Sequence, residues 1–485
     1  MDAELLKIQR NEPWREELRK NLKNKERAAI VRVSMPELDA DYRSHSYEEV
    51  NLGLSLDQAL MEAKRCLDCP DPQCINGCPV EVNIPKFIKN IERNEVLEAA
   101  KTLKETSALP AVCGRVCPQE KQCESKCIHL KMKNEPVAIG YLERFAADYE
   151  RESGSISVPE IAASNGIKIA VVGSGPAGLS FAGDMIKGGY DVTVFEALHE
   201  IGGVLKYGIP EFRLPNDIVD VEINILQKMG VKFIKNCIVG KTISYEDLRE
   251  DGFKGIFVAS GAGLPNFMNI PGENLSGVLS SNEYLTRVNL MGANKKEADT
   301  PVFFGKNVAI IGGGNTAMDS VRTAKRLGAE KAMIVYRRSE EEMPARIEEV
   351  KHAKEEGIIF INLYNPIEYI GDENGKVKQM VLQRMELGEP DASGRRRPVE
   401  IPGATETIDV DMVVVAIGVS PNPLIPSEFK GLNVSKWGTI IVNQDTLQTD
   451  LPDVYAGGDI VRGGATVILA MGDGRKAAKA MKEQL

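Results

Sequence analysis

Two stretches of the chain run strand, glycine turn, helix, strand, and such a pattern can fold in few ways. The first is "IKIAVVGSGPAGLSFAGDMIKGGYDVTVFEA"; the second is "KNVAIIGGGNTAMDSVRTAKRLGAEKAMIVYRR". In each, a short continuous apolar run, as expected of a strand buried on both faces, meets a glycine cluster and gives way to helical spacing. Parallel strands joined by a crossover helix satisfy this order. The chain is therefore expected to be α/β, with two Rossmann-like halves whose glycine turns start at Gly173 and Gly312. The last stretch, "VYAGGDIVRGGATVILAMGDGRKAAKAM", has a strand, a glycine-rich turn and a helix but no complete fold. It is expected to return to the first half, leaving the second as an insertion.

The turns also indicate ligands. In the first, Gly173 makes the tight turn, Gly175 lets the backbone approach a pyrophosphate, and Gly178 lets helix pack on strand. Pro176 and Ala177 open the helix, whose free N–H groups face the phosphates. Glu196 ends the second strand, where a carboxylate binds ribose hydroxyls, so this site takes a dinucleotide without a 2′-phosphate, FAD or NAD. The second turn reads Gly312-x-Gly314-x-x-Ala317, with Asn315 and Thr316 inside it. Its second strand ends in Arg337 and Arg338 rather than an acid, which suits the 2′-phosphate of NADP. A solvated basic pair is the ordinary alternative. In the C-terminal turn, Gly458 and Asp459 fit a flavin ribityl chain, and a helix beginning near Thr466 points its positive end at the flavin ring.

Eight of the nine cysteines lie between Cys66 and Cys127, in a region otherwise rich in helical spacing. The first set is C-x2-C-x4-C-x3-C-P and the second C-x3-C-P-x4-C-x3-C. Zinc knuckles usually pair two separated C-x2-C hooks. Crowded cysteines followed by proline resemble the bacterial ferredoxin run, whose fourth cysteine crosses to another cluster. By that rule Cys66, Cys69, Cys74 and Cys127 hold one 4Fe–4S cluster, and Cys78, Cys113, Cys117 and Cys123 a second. No C-x2-C dithiol lies near either nucleotide half, so electrons from a flavin are expected to leave through the clusters and not through a disulfide. Cys237 stands alone and reads as a small core hydrophobe.

The expected division is a helical 4Fe–4S domain over 1–155, an FAD domain in two parts over 166–300 and 416–485, and an NADP domain over 301–415. The 485 residues suit about three domains. A net charge of −10 without a long basic run argues against nucleic acid. The charged N-terminus lacks a signal peptide's apolar core, and no apolar run approaches the ~18 residues of a membrane span. A soluble cytoplasmic protein is expected.

The motifs "RCLDCPDPQCINGCPV", "LPAVCGRVCPQEKQCESKC", "VVGSGPAGL", "IGGVLKYGIPEFRLP", "IIGGGNTAMD", "VYRRS" and "VYAGGDIVRGGATVILAMGDGR" together resemble the NADPH-dependent glutamate synthase small-subunit family, from about Arg43 to the C-terminus. That family includes the large subunit of NADH-dependent ferredoxin:NADP oxidoreductase, the sulfide dehydrogenase flavoprotein and the N-terminal part of dihydropyrimidine dehydrogenase. The resemblance implies two 4Fe–4S clusters, FAD in the first nucleotide domain, NADP(H) in the second, and a disulfide-reductase-like arrangement. It adds Gly203 and Arg213 as cofactor-binding candidates. It also implies that Glu143, matching a glutamine ligand of dihydropyrimidine dehydrogenase, competes with Cys113 for one position on the second cluster; an exposed helical glutamate is the ordinary alternative.

"GGVLKYGIPEFRLP" looks nearer to the ferredoxin-linked enzyme. The leading expectation is that enzyme's large subunit, exchanging hydride with NADP(H) and single electrons with a partner subunit in a hetero-oligomer. The alternative is the glutamate synthase small subunit, which without a glutaminase or FMN-barrel segment cannot make glutamate alone. A zinc-stabilised NADP-binding scaffold without turnover is an expectation of another class. No catalytic acid, base or nucleophile is expected, because hydride transfer needs positioning above all.

Overall fold

The computed structural model describes residues 3–392 and 394–485. After the N-terminal helices, the chain forms β1 (Lys168–Val172), β2 (Asp191–Phe195), β3 (Lys232–Ile234), β4 (Phe253–Val258) and the short β5 (Leu264–Pro265). Next come β6 (Val278–Ser280), β7 (Asn307–Ile311), β8 (Lys331–Tyr336) and β9 (Ile359–Asn362). A meander follows: β10 (Tyr364–Gly371), β11 (Val377–Pro390) and β12 (Arg396–Asp409). Finally there are β13 (Met412–Val415), β14 (Val419–Ser420) and β15 (Val454–Ala456).

The first sheet has the order β15-β4-β1-β2-β3, all parallel. The C-terminal strand β15 therefore completes a sheet begun nearly three hundred residues earlier in the chain, with Val454 opposite Ile256. The second sheet, β6-β13-β7-β8-β9, is also parallel. Its strands are apolar on both faces, and alternation sorts them. Val308, Ile310, Ile334 and Val414 pack on helix Asn315–Arg326 through Ala317, Met318 and Val321. Ala309, Ile311, Val335 and Val413 pack on Tyr369, Met380 and Leu382 of the meander.

One boundary is corrected. Residues 278–280 pair with β13 and so belong to the second sheet, ahead of the expected division at 300/301. Strand β6 is only three residues long, too short for a period-2 signal to mark it in the sequence. The two passages between sheets are tied where β5 and β14 pair antiparallel.

The N-terminal region is helical. Helix Leu56–Lys64 starts with a capping box, Ser55 and Gln58 each accepting the other's N–H. In helix Ile84–Glu92, Ile84, Phe87, Ile88 and Ile91 recur at helical spacing and are all buried. This region shares one continuous core with the first sheet, so it is clamped to that domain and not hung from a linker. Among the described residues, no helix is long and apolar enough to cross a membrane.

Candidate functional site

The cysteines fall into two groups, each held by loops and short helices. In the first, Cys69 is pushed up to about 12 by burial and by the sulfurs of Cys66 and Cys127. Cys74 is raised by burial and by Cys66, Cys127 and Cys69, so these four thiols face one another. In the second, burial pushes Cys78 up to about 12, with the carboxyl of Glu143 and the sulfur of Cys113 adding to the rise. Cys117 is raised by its hydrogen bond with Cys113 and by burial, and Cys123 by burial, Glu124 and Cys78. Without a metal these buried thiols stay neutral; a bound cation would favour their thiolate forms and draw on all of them as ligands. The crossover of Cys78 and Cys127 expected from the spacing is thus present as proximity.

Glu143 lies in the second group and is no exposed surface glutamate. It is half-buried on helix Ile139–Glu152, and Cys78, Cys113, Cys117 and Cys123 all feel its charge. Burial, with a smaller push from Glu222, raises it to about 8. It reaches the cysteines because its helix touches helix Pro110–Val116 at Gly114, where a Cβ would lie 2.5 Å from the Arg144 nitrogen. The second group therefore offers five donors to a centre that takes four.

The first glycine turn is shaped for a dinucleotide. Gly173 has φ 102°, and a Cβ there would meet the Ala259 carbonyl at 2.5 Å. A Cβ on Gly178 would meet the Gly173 carbonyl at 2.0 Å, whereas one on Gly175 would meet nothing within 4 Å. The structure thus keeps open the face where a pyrophosphate lies, at the N-terminus of helix Pro176–Lys187. Glu196 is buried at the end of β2. One of its oxygens accepts from the Ser174 N–H (2.9 Å) and hydroxyl, the other from the Leu198 N–H at 2.8 Å, which leaves a lone pair for a ribose. Gly203 packs on the turn, its Cβ position 2.9 Å from the Gly175 Cα. Gly458 packs on Ala177, so the C-terminal return closes over the same turn.

Asp459 is pushed up to about 6 by burial, opposed by the Ala465 N–H that it accepts at 3.1 Å and aided by Asp473. At neutral pH it remains an acceptor. Burial, then the charges of Asp459 and Glu196, raise the Tyr207 phenol to about 12. Nothing in the sequence pattern singled it out. Thr466 caps helix Val467–Gln484, accepting the Leu469 N–H at 3.4 Å.

That same helix approaches the second cysteine group, a contact the sequence does not announce. The Met471 sulfur is 3.5 Å from the Cys113 sulfur, and a Cβ on Gly472 would meet the Pro79 carbonyl at 2.9 Å.

In the second turn, Gly312 has φ 141° and abuts the Ala416 carbonyl, and Gly314 is open. The Asn315 side chain accepts the Arg346 N–H at 2.9 Å, and Thr316 is exposed. Arg337 is exposed at the end of β8. Two other candidates are held by protein partners. Arg338 is buried and bonded to the Asp391 carboxylate (2.6 Å) and the Arg396 carbonyl (2.8 Å), holding the β11–β12 hairpin. Arg213 binds Asp319 at 2.6 Å and Glu349 at 3.0 Å, a buried clamp between the two nucleotide domains. With Phe212 under Arg322 and Arg326, it locks one domain to the other.

Comparison with known proteins agrees with this geometry. Residues 43–155 match the family described as dihydropyrimidine dehydrogenase domain II, 4Fe-4S cluster, and residues 167–474 match pyridine nucleotide-disulphide oxidoreductase. The glutamate synthase (NADPH) small chain of Escherichia coli (strain K12) is 36% identical over 455 residues, covering 93% of this chain and 96% of that one. The chain belongs to the glutamate synthase small-chain family.

Other members and neighbours place it further. The NADP(+)-dependent formate dehydrogenase subunit beta of Moorella thermoacetica is 39% identical over 436 residues, 85% of this chain and 60% of that one. Among solved structures, Mycobacterium tuberculosis FprA in complex with NADPH has a TM-score of 0.55 at 20% identity, over 66% of this chain and 85% of that chain; it shows the shared fold. This glutamate synthase small-chain relative is thus an NADP-dependent flavin oxidoreductase with an iron–sulfur domain. The matched 4Fe–4S region answers the zinc alternative, because it spans both cysteine groups.

Proposed function

We propose that the chain is the NADP(H)- and FAD-binding subunit of a larger redox enzyme, carrying two 4Fe–4S clusters between its flavin and a partner. The observation that carries this reading is the 3.5 Å contact between Met471, on the helix over the flavin site, and Cys113 in the second cysteine group. When bound, FAD would supply the exchange of one hydride, and so of two electrons, with nicotinamide, and the clusters would supply transfer of those electrons one at a time. The residues do the holding. The first turns of helix Pro176–Lys187 bind the FAD pyrophosphate, Glu196 its ribose and Asp459 its ribityl chain. The N-terminus of helix Val467–Gln484 favours negative charge on the reduced ring. Cys66, Cys69, Cys74 and Cys127 hold one cluster; Cys78, Cys117, Cys123 and Glu143 hold the other, with Cys113 as the fifth, spare donor.

The partner carries the final acceptor. A ferredoxin-linked partner fits the "GGVLKYGIPEFRLP" segment. The match over 96% of the E. coli small chain favours a glutamate synthase large chain. Mixing the chain with each candidate separates them. NADPH-dependent ferredoxin reduction supports the first, and glutamate formation from 2-oxoglutarate and glutamine the second. NADPH oxidation that neither acceptor nor any one-electron dye can draw on overturns both.

Arg337 is assigned to the 2′-phosphate. Arg337→Glu is expected to weaken NADPH binding about tenfold to a hundredfold, the loss of one charge-assisted pair at about 1.5–3 kcal/mol, and to improve NADH binding. Titration of both nucleotides checks this; unchanged NADPH affinity would place the phosphate elsewhere.

A further inference from the structure

Residues 3–42 precede the matched iron–sulfur region, yet they fold onto the first cysteine group. Helices Ala3–Arg10 and Pro13–Asn21 send three arginines to one residue, Asp68, which lies in the loop between Cys66 and Cys69. Asp68 is fully buried and has φ 53°, a left-handed conformation uncommon for a residue other than glycine. Arg15 and Arg19 bind its carboxylate, the Arg10 Nε donates to its carbonyl at 2.8 Å, and Arg19 also holds the Arg10 carbonyl at 2.8 Å. Below the loop, Lys89 donates to the Cys66 carbonyl at 2.6 Å, and the fully buried Arg27 donates to the Lys64 carbonyl at 2.8 Å. Lys89 and Arg27 share the carboxylate of Glu92.

The charges around this loop do not cancel. Arg10, Arg15, Arg19, Arg27 and Lys89 stand against the carboxylates of Asp68 and Glu92. The surplus cations bind the backbone of the loop that carries Cys66 and Cys69, Arg10 at the Asp68 carbonyl and Lys89 at the Cys66 carbonyl. One-electron reduction adds a negative charge to a cluster, and nearby positive charge stabilises that state; net charge is one of the quantities that set cluster potential. We propose that the N-terminal arginine cap, Arg10, Arg15 and Arg19 locked on Asp68, holds the Cys66–Cys69 loop in place and raises the reduction potential of the first cluster. The proposal rests on the reading that this cysteine group holds a cluster.

The test compares Arg19→Gln with Arg19→Lys in the holoenzyme, because Arg19 is partly exposed and neither change buries an orphan charge. Both variants lose the guanidinium fork; only the glutamine loses the charge. Each cluster is titrated by electron paramagnetic resonance at controlled potentials, with iron counted in parallel. In Arg19→Gln the reduced-to-oxidised ratio of the first cluster at a fixed potential is expected to fall about threefold to tenfold, the effect of one partly screened charge. Arg19→Lys is expected to keep the parent ratio, and the second cluster to stay unmoved in both. Asp68→Asn, where it folds, is expected to shift the first cluster the opposite way. Equal behaviour of the glutamine and lysine variants, whether both unmoved or both losing iron, would reduce the cap to a structural prop and overturn the proposal. A parent protein without a first-cluster signal overturns the underlying cluster reading instead.

Discussion

The Gly175→Val chain is expected to fold as the parent does and to carry no flavin. A Cβ at Gly175 meets no protein atom within 4 Å, so the side chain costs the fold little. It occupies the space in front of helix Pro176–Lys187 where the pyrophosphate must approach the N–H groups. Losing two charge-assisted hydrogen bonds at about 1.5–3 kcal/mol each weakens binding about a hundredfold to ten-thousandfold. Gly178→Ala makes the contrast. Its Cβ falls 2.0 Å from the Gly173 carbonyl, so that variant is expected to lose the turn and with it the fold. Flavin absorbance per protein and far-ultraviolet circular dichroism separate the two cases. A folded Gly175→Val chain with full flavin would remove FAD from this turn.

Removing Glu143 is expected to cost one cluster. Cys78, Cys113, Cys117 and Cys123 all feel its charge, and burial with the nearby Glu222 holds it up at about 8 when no cation is beside it. A carboxylate ligating iron regains what desolvation cost it. Cys113 has other company: Cys117, the Ser107 hydroxyl at 3.9 Å and the Met471 sulfur. Glu143→Ala should therefore lose about half the iron and the signal of one cluster, while Cys113→Ser keeps both. As an oxygen donor is harder than thiolate, Glu143→Cys should retain the iron but change that cluster's potential. Full iron in Glu143→Ala together with loss in Cys113→Ser would reverse the assignment.

The elements with strong periodicity were legible in the sequence. Strand β1, the glycine turn and helix Pro176–Lys187 fall where the apolar run and its change of spacing put them, and β15 returns to the first sheet as an incomplete fragment must. What pattern cannot reveal is the partner of a polar side chain. Arg338 reads as a cofactor candidate because arginine beside a nucleotide motif suggests phosphate, and Arg213 through the family resemblance. Their guanidinium groups are taken by Asp319, Glu349 and Asp391, residues distant in sequence that only the tertiary fold brings near. Glu143 was reached by resemblance, and the physical reason for its position is the close approach at Gly114, a contact between two helices. The N-terminal arginines gave no motif for the same reason: three cations spaced along two helices carry meaning only once Asp68 turns to meet them.

The most direct test of the account is the iron, acid-labile sulfide, zinc and flavin content of the anaerobically isolated chain. One FAD per chain is expected, with iron matched by sulfide in the amount two 4Fe–4S clusters require and little zinc. Zinc bound in place of iron, with no sulfide and no flavin colour, would contradict it.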